Sequence, residues 1–274
     1  MPYRISDIEL HLFLEALYLR YHYDFRAYVI ASLKRRLLAA MSHFETPTLT
    51  GLLDKVYHDE SLISPLLNFM TVQATELFRD PEYYLALREQ VLPMLRTYPS
   101  LKIWVAGCSS GEEAWSLAIL LQEEQLLGRS LIYATDINTQ SLQTAEAGVY
   151  PLDRMGDYTN NHRAAGGKSS LSDHYTAAYG HAKFDERLKR HMVFSDHSLA
   201  TDSVFAEMQL ISCRNVLIYF KRPLQDHAVG LFKEALCPGG YLGLGARETL
   251  TLSRYSSAFV PLDVHSQIYR KVRL

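Results

Sequence analysis

Over the first seventy residues the apolar positions recur at helical spacing. Leu10, Phe13, Leu14 and Leu17 share one face, as do Tyr28, Leu33, Leu37 and Met41 in the segment from Phe25 onward. Near residue 100 the pattern changes. Residues 101–106 and 131–136 are short apolar runs, each followed by a helical segment, 112–122 and 139–147. Residues 208–213 repeat the pattern before a helix over 224–236, and 240–244 and 267–272 predict further strands. Buried strands alternating with helices predict an α/β fold with an open, mainly parallel sheet, although the pattern leaves the direction of the last strand open. Residues 148–192 break the rhythm. Within them, 159–172 is rich in Asn, Gly, Ser and Lys, which suits a loop or an inserted subdomain. The organisation predicted is a helical domain over 1–72 and a larger domain over 73–274, interrupted at about 148–192.

Composition narrows the class. In 274 residues, 48% are apolar and 21% charged, enough apolar material for a full core, and the net charge of −2 argues against a general nucleic-acid binder. No apolar run reaches the roughly 18 residues of a membrane span, and the start, Met1-Pro2-Tyr3-Arg4, has no apolar signal core. Cys108, Cys213 and Cys237 are odd in number and widely spaced, which disfavours a disulfide framework and suits a reducing, cytoplasmic setting. The histidines lack metal-ligand spacing, so no metal is expected.

Chemistry concentrates after two of the predicted strands. Val105-Ala106-Gly107-Cys108-Ser109-Ser110-Gly111-Glu112-Glu113 runs from strand through a two-glycine turn into a helix, either a plain tight turn or the place where such sheets bind nucleotide-like ligands. Asp136, about 25 residues on, can accept from ribose hydroxyls or cap the next helix. The turn lacks the three-glycine pyrophosphate cradle. Glu112 would also repel a pyrophosphate, whereas it suits a ligand amine such as that of S-adenosylmethionine; alone it could equally serve the helix dipole. Lys34-Arg35-Arg36 is either a solvated helix face or a contact for an acidic partner.

Three segments together resemble the signatures of the CheR-type methyltransferases. They are Thr71-Val72-Gln73-Ala74-Thr75-Glu76-Leu77-Phe78-Arg79-Asp80, Ala106 to Glu113, and Ser212-Cys213-Arg214-Asn215-Val216-Leu217-Ile218-Tyr219-Phe220. The likeness covers nearly the whole chain. It implies a Rossmann-like S-adenosylmethionine-dependent fold with an N-terminal helical domain and a small inserted β-subdomain. It also implies transfer of the cofactor's methyl group to glutamates of a chemoreceptor's cytoplasmic helical region, giving γ-carboxyl methyl esters and S-adenosylhomocysteine. Arg79, with Thr75, would hold the methionine carboxylate, Glu112 the amine and Asp136 the ribose. Ala106, Gly107 and Gly111 would pass beneath the cofactor. Gln73, Ile137, Ser198, Leu199, Arg214 and Asn215 complete the cofactor set. Arg214, Asn215 and Tyr219 would carry the catalytic roles, and Lys34, Arg35 and Arg36 would bind the receptor.

Departures stand at Gln73 and Ser198, where the family often has Asn, and at Gly245-Ala246-Arg247-Glu248. The stretch from Tyr175 to Phe194 is shorter than in members that tether a receptor peptide, which implies a tether-independent enzyme, expected to be a monomer. A methyltransferase of another signalling protein and an inactive docking protein of the same fold are the alternatives.

Overall fold

The computed structural model describes residues 3–262 and 266–272. Ser6 starts the first helix, α1 (Asp7–Tyr21), by accepting from the Glu9 amide while the Glu9 carboxylate accepts from the Ser6 backbone, so two amides without helical partners are satisfied. α2 (Ile30–His43), α3 (Leu49–His58) and α4 (Ile63–Met70) follow, and Phe13, Leu17, Leu33, Leu37, Leu52 and Leu66 are all buried between them. At roughly 1.5–3 kcal/mol for each fully buried Leu or Phe, this apolar core holds the helical unit together. The helical pattern from Phe25 is interrupted at its start. Arg26 and Ala27 turn, Tyr28 makes a single bridge to Phe220, and the backbone bonds to a distant loop: Val29 N–H donates to Tyr219 O at 2.9 Å and Lys221 N–H to Ala27 O at 2.8 Å.

α5 (Pro81–Ala86), one π-helical turn over 87–91 and α6 (Leu92–Leu95) lead to the sheet. The sheet is formed by β1 (Leu101–Ala106), β2 (Ser130–Asp136), β6 (Met192–Asp196), β7 (Met208–Cys213), β8 (Leu236–Leu244), β9 (Phe259–Pro261) and β10 (Ile268–Lys271), in the order β6-β2-β1-β7-β8-β10-β9. The first five in that order are parallel, whereas β10 is antiparallel to both neighbours, which settles the direction the pattern left open. Along β1, Ile103 and Val105 enter one core and Trp104 and Ala106 the other, so both faces are covered. α7 (Glu112–Glu123) connects β1 to β2, and α11 (Arg222–Ala235) connects β7 to β8. Pro238-Gly239-Gly240 lies within β8, where the pairing with β7 shifts register.

α8 (Thr139–Ala147) leads into the insertion. There β3 (Val149–Pro151), β4 (Tyr175–Ala178) and β5 (His181–Phe184) form an antiparallel sheet ordered β3-β5-β4, while α10 (Glu186–Lys189) returns the chain to β6. The stretch without periodicity is half helix: α9 (Met155–Ala164) occupies its first part, with Tyr158 and His162 buried. From β1 the chain goes one way to β2 and β6, then crosses to β7. The switch point therefore lies at the carboxyl ends of β1 and β7, where open α/β sheets bind ligands.

Candidate functional site

A cleft of about 870 Å³, measured out to its mouth, opens at that switch point. Gly107 begins its floor at the end of β1. Its φ of 77° and its close approach to Val216, whose Cγ2 would lie 2.6 Å from an added Cβ, leave room for glycine alone. Asp136 ends β2 and accepts from the amides of Ser109 at 2.8 Å and Asn138 at 3.0 Å. Burial pushes its carboxyl pKa up, while those amides pull it down. The cap of α8 is Asn138, which accepts from the Gln140 and Ser141 amides, so Asp136 serves the cleft and the turn instead. Thr75 and Arg79 line the near side from the segment after α4, and Ile137 and Leu199 add apolar wall.

The second helix position, not the first, faces the cleft. Glu112, expected at the ligand amine, is 1% exposed and absent from the lining; Ser110 Oγ donates to its carboxylate at 2.7 Å, and Arg154 and Tyr158 are its neighbours. Adjacent helix positions point about 100° apart, so the turn aims Glu113 instead. Glu113 meets Arg214 at 3.4 Å, and its Oε1 is buried without a partner. Arg214 Nε and Ser109 Oγ are likewise buried and unpartnered beside the same cleft. Unpartnered buried acceptors and donors are costly, so their clustering on one cleft marks where a polar ligand completes the structure. An acceptor at Glu113, a free guanidinium edge at Arg79 and a carboxylate at Asp136 fit an amino acid joined to a nucleoside.

Arg214 corrects a second expectation. Its side chain is 1% exposed, stacks 4.3 Å from the Tyr83 ring, and donates to Arg79 O at 2.7 Å and Asp80 at 2.8 Å. Burial alone would lower its pKa; Glu113 first, then Tyr84, Tyr83 and Asp80, outweigh burial and raise it. Arg214 thus braces the Arg79 segment and Glu113 from the wall of the cleft, which it lines. The neighbouring Asn215 stands at φ 59°, in the left-handed region. Glu248 holds that turn: its carboxylate accepts from the amides of Asn215 at 2.9 Å, Gly245 at 2.7 Å and Ile218 at 3.3 Å. Tyr219 follows on the cleft wall.

The three cations of α2 part company. Lys34 pairs with Asp7 at 2.7 Å and Arg35 is exposed, whereas Arg36 bonds to Ser32 and the Met70 carbonyl and lies 5.5 Å from the Tyr219 ring, inside the cleft. Gln73 is exposed and donates to Asn68 at 3.1 Å; Ser198 accepts from the Ala200 amide; Ala106 is buried within β1; and Gly111 packs on Ala145. None of these four lines the cleft. Residues that the sequence did not single out do: Tyr28 arrives through the linker before α2, and His197 stands beside Ser198. Tyr28 carried no local signal, because its place depends on pairing across the chain.

Residues 73–265 match the family described as CheR methyltransferase, SAM binding domain, and residues 8–71 its all-alpha domain. The chain belongs to the CheR methyltransferase family. It is 52% identical over 268 residues to Cher3 of Pseudomonas putida, a protein provisionally named a methyltransferase, covering 98% of each chain. It is 32% identical to chemotaxis protein methyltransferases of Vibrio anguillarum and, under the name chemotaxis protein methyltransferase 1, of Vibrio cholerae, covering 83% of each chain in both cases. A CheR-type, S-adenosylmethionine-dependent methyltransferase is thereby established as the enzyme class, and the fold agrees. Among the described residues no helix is long and apolar enough to cross a membrane.

Proposed function

We propose that this chain methylates glutamate side chains on the helical cytoplasmic region of a chemoreceptor or related signalling protein. The observation that carries the reading is Arg36, a half-buried cation from the helical unit set over Tyr219 in the same cleft as Arg79 and Glu113. Bound S-adenosylmethionine would supply an electrophilic methyl group on sulfur. Arg79 and Thr75 hold its carboxylate, Glu113 its amine and Asp136 its ribose. Arg36 and the Tyr219 hydroxyl receive the substrate carboxylate at the mouth. A glutamate with a pKa near 4.3 is already ionised at neutral pH, so no general base is needed. Rate enhancement then rests on holding oxygen, carbon and sulfur in line at roughly 3–3.5 Å.

The test uses radiolabelled S-adenosylmethionine and receptor cytoplasmic fragments, with base-released methanol as the readout of ester formation. Label that appears as methanol, and falls at least tenfold in Arg36→Glu while S-adenosylhomocysteine still binds, supports the reading. Base-stable label, or none transferred by an enzyme that binds S-adenosylhomocysteine, points to another substrate.

A further inference from the structure

His197 sits one residue past the end of β6 and is one of the residues that line the cleft. The strand order sets what it can meet. Ala106 ends β1 just before Gly107, Asp136 ends β2 and Asp196 ends β6, paired directly across from Asp136. Neighbouring strands lie about 4.8 Å apart, so the three carboxyl ends form a row across the cleft. With the amino-acid part of the cofactor at Arg79 and Glu113, and the ribose at Asp136, the nucleobase falls at the β6 end. Ile137 and Leu199 offer apolar surface there for a flat ring.

The imidazole's tautomer follows from its one polar partner among the described residues. Nε2 lies 3.2 Å from the Ser203 carbonyl oxygen, which can only accept, so Nε2 carries the proton. In the neutral ring Nδ1 is then a bare acceptor, and it is buried without a partner. Edge-on contacts with Trp104 at 5.1 Å and Phe205 at 5.3 Å fix the ring plane. The group this edge lacks is a donor. Adenine presents such a donor in its exocyclic amine.

We propose that His197 selects for adenine by accepting a hydrogen bond from the exocyclic amine at Nδ1. The inference rests on the cofactor reading above. It is tested by calorimetric titration of wild type, His197→Phe and His197→Asn with S-adenosylhomocysteine and with its 6-desamino analogue, in which hydrogen replaces the amine. Wild type is expected to prefer the amine-bearing ligand by about tenfold, the size of one hydrogen bond to a buried acceptor. His197→Phe, which keeps a ring against Trp104, should bring the two ligands within about twofold. His197→Asn, whose amide oxygen stands near the place of Nδ1, should retain most of the preference. A phenylalanine variant with the full preference, or an asparagine variant as indifferent as phenylalanine, would overturn the assignment. Wild type that binds the desamino analogue as tightly as S-adenosylhomocysteine overturns it too. Failure of wild type to bind either ligand would instead remove the cofactor reading and this inference with it.

Discussion

The two ends of α7 each carry a buried glutamate facing an arginine, yet they are built to opposite rules. At the carboxyl end, Glu123 Oε1 accepts from His162, the Lys168 and Ser169 amides and the Ser169 hydroxyl, while Oε2 pairs with Arg88. Glu124 beside it meets Arg88, Arg96 and Lys168. At the amino end, Glu113 has one partner, Arg214, and an oxygen left bare. The lesson concerns satisfaction, not burial or charge. A fully partnered ion cluster fastens the insertion to the main domain, whereas an under-partnered one is poised for a ligand. The ligand atoms of Glu123, His162 and His174 also lie within 4.8 Å of one another, and the Glu123 oxygen that faces the histidines is ringed by protein donors, which ties the insertion in place.

The comparison breaks first at Glu123. Glu123→Gln leaves Arg88 buried with less compensation, so denaturant unfolding at neutral pH should show a loss of about 3–5 kcal/mol; a loss under 1 kcal/mol would mean the network carries little of the stability. Glu113→Gln should do the reverse. Calorimetry should find S-adenosylhomocysteine affinity down about 10- to 100-fold, the worth of a charged hydrogen bond, with a stability loss smaller than that of Glu123→Gln because Asp80 still pairs with Arg214 at 2.8 Å. Equal damage to both quantities would erase the distinction between the two ends.

Acid provides a sharper cut. Burial would raise the Glu123 pKa, but its bonds to His162, Ser169 and Arg88 prevail and hold it well below the usual 4.5. A carboxylate with a depressed folded-state pKa contributes stability above its unfolded value and loses it as pH falls through the folded one. Unfolding free energy should therefore begin to drop below about pH 4.5, and Glu123→Gln should flatten that slope. A slope unchanged in the variant would assign the acid sensitivity elsewhere. The smallest effect is expected at Glu248, which lies under the Asn215 turn without facing ligand. Glu248→Gln keeps one accepting oxygen of two, so kcat should fall several-fold while S-adenosylhomocysteine affinity stays within about twofold. Matching losses in both would place Glu248 in the cofactor site.

The alternation of apolar strands and helices in the sequence already located β1, β2, β7 and α7, because a strand buried on both faces and a helix packed on it must be apolar at set intervals. Gly107 and Asp136 were legible for a related reason: the ends of such strands are where ligands bind in this class of sheet. Glu112 and Glu113 were not separable. Either acid at a helix start satisfies the dipole, and only the φ of 95° at Gly111, with the helix phase it sets, aims Glu113 at the cleft. Lys34, Arg35 and Arg36 formed one cluster in sequence; packing against Ser32 and Met70 turned Arg36 inward. β3, β4 and β5 are three or four residues each, too short to show a period: β5 alternates, but that sets only Ala182 and Phe184 inward.

The sequence by itself determined the alternating core of β1, α7, β2, α8, β7 and α11 and the family, since these follow from local periodicity and from contiguous motifs. The tertiary structure alone decided which acid faces the cleft, that Arg214 is a brace, and that Tyr28 and His197 join the wall. Each of those outcomes depends on atoms brought together across more than a hundred residues, or on the rotation of one helix, and neither is written in the spacing of neighbouring side chains.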